Sequence, residues 1–118
     1  MDGELLTPPF RRRLPNRRWA VTHDLVVGNT VLSATIGFDE VGHPAEVFLS
    51  GAKDGSGMAS ILADASVVIS IGLQHGIPAR ALAKSIARIP ESLDGPATKA
   101  ASVTGAALDL LIACDAPL

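Results

Sequence analysis

The run FLSGAKDGSGMASILADASVVISIGLQHGIP, Phe48 to Pro78, contains the change of period on which the fold turns. Its first residues close a strand-like segment. After Asp54, Gly55 and Ser56 the apolar residues recur at helical spacing, with Met58, Ile61, Leu62, Ala65, Val68, Ile69 and Gly72 on one broad stripe. Val67 and Ile71 fall on the far side of that helix. A helix apolar on two sides is either sandwiched inside the fold or covered by a partner chain, so Val67 and Ile71 are the candidate protein-interface residues. Gly76 ends the helix and Pro78 starts the next, as their backbone preferences dictate.

Upstream, WAVTHDLVV places Trp19, Val21, His23, Leu25 and Val27 on one face of a strand. Gly28 and Asn29 supply a two-residue reversal, and TVLSATIGF returns with Leu32, Ala34, Ile36 and Phe38 on one side. The turn residues of DEVGHP, Asp39 to Pro44, predict a second reversal into the strand AEVFLS. These three segments form an antiparallel meander. Pro8, Pro9 and Pro15 remove backbone donors from the segment before it, so residues 1–17 read as an extended arm and 18–115 as a single domain.

Downstream, a second helix is expected over about Pro78 to Arg88, burying Leu82, Ile86 and Ile89 and leaving Arg80, Lys84 and Arg88 outward. PESLDGP interrupts the chain. A third helix is expected over about Ala97 to Cys114, with Lys99, Ser102 and Asp109 on a narrow polar strip. The expected fold is α+β, in the order β-β-β-α-α-α, with the three helices packed on one face of the meander.

Composition narrows the function classes. The 118 residues suit one core, and with aromatics at only 3% that core must be built from Ala, Val, Ile and Leu. Ten basic against twelve acidic residues do not describe a general nucleic-acid binder. Five of the basic residues sit in RRRLPNRR, Arg11 to Arg18, which reads as a solvated or protein-docking arm. Cys114 is the only cysteine, so no intrachain disulfide can form, and a cytoplasmic protein is the simpler expectation. MDGELLTPPF lacks the basic start and apolar centre of a secretion signal. The nearly uncharged segment Ala65 to Leu73 is short of the roughly 20 residues of a membrane span, so no membrane is expected.

The loop KDGSG offers a candidate anion- or nucleotide-binding site. Gly55, Ser56 and Gly57 would leave backbone N–H groups at the positive end of a helix, with Lys53 beside them. The same residues also read as an ordinary strand-to-helix turn capped by Ser56. His23, His43 and His75 have no metal-ligand spacing, and no metal is expected. His75 falls at a helix end, where an imidazole meets exposed carbonyls. Cys114 has apolar neighbours that favour a packed thiol over a nucleophile. No nucleophile motif is present, and no catalytic residue is assigned.

Together GHPAEVFL, GAKDGSG and IGLQHGIP resemble the TSCPD domain, a module near the C-terminus of adenosylcobalamin-dependent ribonucleotide reductases that also occurs as a short free-standing protein. The likeness runs from about Arg11 to Ile89. It includes Leu14 and Pro15, Pro44, Glu46 and Val47, Gly51 and Lys53, Gly55 and Ser56, then Gln74, His75, Gly76 and Pro78. The Thr-Ser-Cys-Pro-Asp run that names the family is absent, and SLDGPATKAAS, Ser92 to Ser102, stands in its region. The family's enzymes also carry a barrel with radical-generating cysteines, a cobalamin site and a C-terminal cysteine pair. A lone cysteine cannot form that pair. The resemblance thus implies a link to deoxyribonucleotide synthesis, with no reductase activity or adenosylcobalamin for this chain alone. The leading expectation is a free-standing accessory module that binds a reductase or related protein. The alternatives are a nucleotide-binding regulator using Lys53 to Gly57 and a self-associating structural protein.

Overall fold

The structure is a computed structural model that describes residues 11–115. The first ten residues of the expected arm lie outside the described residues. Strands β1 (Ala20–Val27), β2 (Thr30–Phe38) and β3 (Pro44–Ser50) form the antiparallel meander in the order β1-β2-β3. Gly28, at φ 59°, makes the reversal that pairs Val27 with Thr30. At the second reversal the Asp39 carboxylate accepts the N–H groups of Val41, Gly42 and His43, each at 2.9 Å. An aspartate that ties down a turn in this way serves the backbone first.

Helix α1 (Gly57–Gln74) begins where the period changes. Ser56 caps it by accepting the Ala59 N–H at 3.1 Å. The buried stripe, however, is not the one that apolar periodicity predicts. Leu62, Ser66, Ile69, Ser70 and Gln74 are buried, whereas Met58, Ile61 and Val68 face outward. The reason lies in β3, whose outer edge needs hydrogen-bond partners. Ser66 accepts from Leu49 N–H at 3.0 Å, Ser70 accepts from Val47 N–H at 3.0 Å, and the Gln74 amide donates to Ala45 C=O at 3.0 Å. Each step of four residues along α1 matches a step of two along β3. Four helical residues rise about 6.0 Å and two strand residues about 6.6 Å, so the rungs stay in register.

By length and mean hydropathy, 18 residues at 1.5, α1 also meets the dimensions of a membrane-crossing helix. That window is longer than the nearly uncharged segment Ala65 to Leu73 because it takes in Asp64. Ser66, Ser70 and Gln74 are nevertheless committed to a strand edge.

The core lies on one face of the sheet. Leu25, Leu32, Ile36 and Val47 meet Leu62 and Ile69 of α1 and Leu108 and Leu111 of α3 (Val103–Cys114). Trp19, expected on the apolar face of β1, is 83% exposed at the rim.

The C-terminal half departs from the expected helices. Helix α2 covers only Ala79–Ala83, and the chain then forms a hairpin of β4 (Arg88–Pro90) and β5 (Thr98–Ala100) around the PESLDGP interruption. Pro90 disfavours helical backbone at Ile89. Ser102 caps α3 by accepting the Gly105 N–H at 3.1 Å, so that helix starts later than Ala97 and Lys99 belongs to a strand. Arg88 therefore does not extend a basic helical stripe with Arg80 and Lys84. It reaches Asp109 at 3.1 Å and fastens the hairpin to α3.

Candidate functional site

On the open side of the β3–α1 seam lies a cleft of about 450 Å³, lined by Phe48, Ala63, Val67 and Ile71, with Ser66 and Ser70 in its floor. Phe48 points away from the core because it alternates with the buried Val47 and Leu49. Val67 and Ile71 are solvent-accessible on the helix flank beside it. The two residues singled out from periodicity thus line a cleft, together with an aromatic ring the sequence reading did not assign.

Arginines border this cleft. Arg11 donates to the side-chain oxygen of Gln74, and Arg12 N–H donates to Gln74 C=O at 2.7 Å, so the chain before β1 is held against the end of α1. Arg18 grips both carboxylate oxygens of Glu46, a forked contact that suits guanidinium geometry. Arg12 approaches Asp39 at 3.3 Å. A second cleft of about 750 Å³ between these side chains shares Arg11, Glu46 and Gln74 with the apolar one. The two form one continuous surface, apolar at Phe48 and Val67 and cationic at Arg11 to Arg13.

Lys53, Gly55, Ser56 and Gly57 lie at the other end of α1, roughly 27 Å away along an 18-residue helix. Ser56 N–H donates to Lys53 C=O at 3.1 Å and the Ser56 hydroxyl serves as the cap. The fold therefore separates the lysine loop from the arginines.

Two histidines have structural partners. His75 Nδ1 donates to Ile71 C=O at 2.9 Å at the end of α1. His43 Nδ1 meets Asp115 at 2.8 Å, and that carboxylate raises its pKa above 6.5. Desolvation is the largest single influence on Asp39 and pushes its carboxyl up. The three N–H donors and the nearby His43 outweigh it and hold the group below its ordinary value. Burial pushes the Cys114 thiol up, away from nucleophilic character. Among the described residues no group of three or more His, Cys, Asp or Glu gathers to hold a metal ion.

The family model described as TSCPD domain matches residues 7–112. The chain belongs to the TSCPD domain family. This TSCPD domain is similar to "Vitamin B12-dependent ribonucleotide reductase" of Rhodopirellula baltica, 31% identical over 64% of this chain and 7% of that protein. Proteins of the same name in Streptantibioticus cattleyicolor and Bradyrhizobium diazoefficiens are 36% and 31% identical, over 59% and 58% of this chain and 12% and 5% of theirs. The matched region is thus a small part of each relative. No solved structure matches the chain significantly.

The rungs Ser66, Ser70 and Gln74 were the main feature missed by periodicity. Their signal was present, since all three repeat every four residues from Leu62 in a helix that is otherwise nearly apolar.

Proposed function

We propose that this TSCPD domain is a non-catalytic accessory module of deoxyribonucleotide synthesis, acting in the cytoplasm and docking on a ribonucleotide reductase or a related protein. The observation that carries this reading is the cleft of Phe48, Val67 and Ile71 beside Arg11. An accessible apolar patch rimmed by charge is the usual anatomy of a protein-docking surface. The kinship with reductases supplies the class of partner. No step of this role requires cobalamin or a metal held by this chain.

The test is binding of the labelled domain to a purified vitamin B12-dependent ribonucleotide reductase from the same cells. The wild-type domain should bind, and the Val67→Asp, Ile71→Asp double variant should bind at least tenfold more weakly while keeping its circular dichroism. Equal binding by the folded variant would remove the cleft from the reading. Cobalamin-dependent ribonucleotide reduction by the domain alone would overturn its non-catalytic character.

A second reading, nucleotide or anion binding at Lys53, Gly55, Ser56 and Gly57, is favoured by one observation. A Cβ built at Gly55 or Gly57 meets nothing within 4 Å, so the helix start is open to a ligand. Bound nucleotide should raise the melting temperature with the logarithm of its concentration. A flat response across nucleoside mono-, di- and triphosphates would discard this site.

A further inference from the structure

The two edges of the sheet are treated differently, and the difference identifies an interaction surface. Ser66, Ser70 and Gln74 bond to outward backbone groups of β3, namely Leu49 N–H, Val47 N–H and C=O, and Ala45 C=O. Those groups belong to Ala45, Val47 and Leu49, so the alternate residues Glu46 and Phe48 bond inward to β2. Carrying this alternation through the register to β1, Val21, His23 and Leu25 bond to β2. The bond from Phe38 N–H to Trp19 C=O at 2.9 Å fits the same parity. Ala20, Thr22, Asp24 and Val26 therefore aim their backbone N–H and C=O groups away from the sheet, and all four residues are exposed.

Strand β1 has few of the devices that blunt an open edge. It is eight residues long, pairs with β2 without a bulge, and contains no proline, lysine or arginine. Trp19, Val21 and Val26 are exposed along it.

We propose that β1 is the contact between two copies of this chain, joined edge to edge about a two-fold axis into a continuous six-stranded antiparallel sheet. The occupant is a second copy because β1 is complementary to itself. Keeping the two cores on the same side of the joined sheet requires residues of equal parity to face each other. With His23 on the axis, Thr22 stands opposite Asp24 of the second copy, and Ala20 opposite Val26. These are outward-facing residues on both sides, so each pair exchanges both of its backbone hydrogen bonds. Val21 then meets Leu25 of the second copy and Trp19 meets Val27. No acidic residue faces another, whereas moving the axis one residue along, to Asp24, would set two carboxylates together. The Phe48–Val67–Ile71 cleft lies on the opposite edge and stays open, so this contact does not depend on the reading of that cleft.

Parity supplies a selective variant. Thr22→Pro deletes an N–H that points outward and leaves the bonds from β1 to β2 in place, as proline on an edge strand does. The wild-type chain should sediment as a dimer, and Thr22→Pro should sediment as a monomer with wild-type circular dichroism. The emission of Trp19, the single tryptophan, should be bluer in the dimer than in that monomer. A second experiment stands if Thr22→Pro fails to fold. In a Cys114→Ala background, His23→Cys puts two thiols across the axis at a non-bonded pair, with Cα atoms about 4.5 Å apart, within disulfide reach. Mild oxidation should link His23→Cys into a covalent dimer at least tenfold faster than it links Asp24→Cys. A wild-type monomer at all concentrations, a dimer that survives in folded Thr22→Pro, or faster linkage through Asp24→Cys would overturn the proposal.

Discussion

The edges of this sheet solve the same problem in different ways. β3 presents outward N–H and C=O groups that α1 satisfies with side chains, while β1 presents the same groups to its surroundings. A strand edge must be paired, covered or wetted, because a buried backbone group without a partner is costly. Here the covering element follows its strand directly in sequence, after a six-residue loop, so the seal on β3 is local. Among the described residues no segment adjacent to β1 does the same, and that edge faces outward.

The largest effect should come from breaking the seal. Ser66→Ala with Ser70→Ala removes only the two hydroxyl oxygens and strands the N–H groups of Leu49 and Val47, each worth roughly 1–3 kcal/mol, which urea denaturation would measure as a lower midpoint. The matching change on the other edge, Thr22→Val, removes only the exposed hydroxyl contact with Thr35 at 2.9 Å. It should stay within about 0.5 kcal/mol of wild type. Between them falls Ser56→Ala, which removes the cap of the helix that carries the seal and should cost about 1 kcal/mol.

Hydrogen exchange reads the two edges directly. The amides of Val47 and Leu49 should be protected in monomer and dimer alike. Those of Thr22, Asp24 and Val26 should exchange quickly in Thr22→Pro, at the positions that retain an N–H, and slowly in the wild-type dimer.

The smallest effect is in pH. Neither Ser66, Ser70 nor Gln74 titrates, so the loss in the serine double variant should be constant between pH 5 and 8. The tie from the β2–β3 turn to Asp115 is different, because its histidine has a folded-state pKa above the unfolded one. Its contribution is fully present below pH 6.5 and is lost as pH rises through the raised value. His43→Ala should remove that part of the pH dependence of the denaturation midpoint and leave the serine effect untouched.

Much of the sheet was legible because strand signals are local. Alternation in Val21 to Val27 and Leu32 to Phe38, with Gly28 and Asn29 between them, fixes a hairpin and its register from neighbouring residues alone. The caps Ser56 and Ser102 are local as well, although only the first was recognised. The rotation of α1 was not legible, since apolar periodicity counts Met58, Ile61 and Val68 as core and Ser66 and Ser70 as surface. Arg88 and Thr98–Ala100 of the second hairpin were read as helix ends because alanine-rich segments satisfy helical spacing whether or not a helix forms. Of the candidate surfaces, Val67 and Ile71 and the arginine run could each be named from sequence, but Phe48 and the juxtaposition of Arg11 with that helix flank could not.

By itself the sequence determined the order of the meander and its first helix, the caps and turns, and kinship with the TSCPD family. Each follows from residue spacing or from motifs that survive in one dimension. Only the tertiary structure decided which face of α1 is buried and which sheet edge no described residue covers. Those outcomes depend on backbone groups of β3 meeting side chains 17 to 29 residues later, and hydropathy does not record where a hydrogen-bond partner will be found.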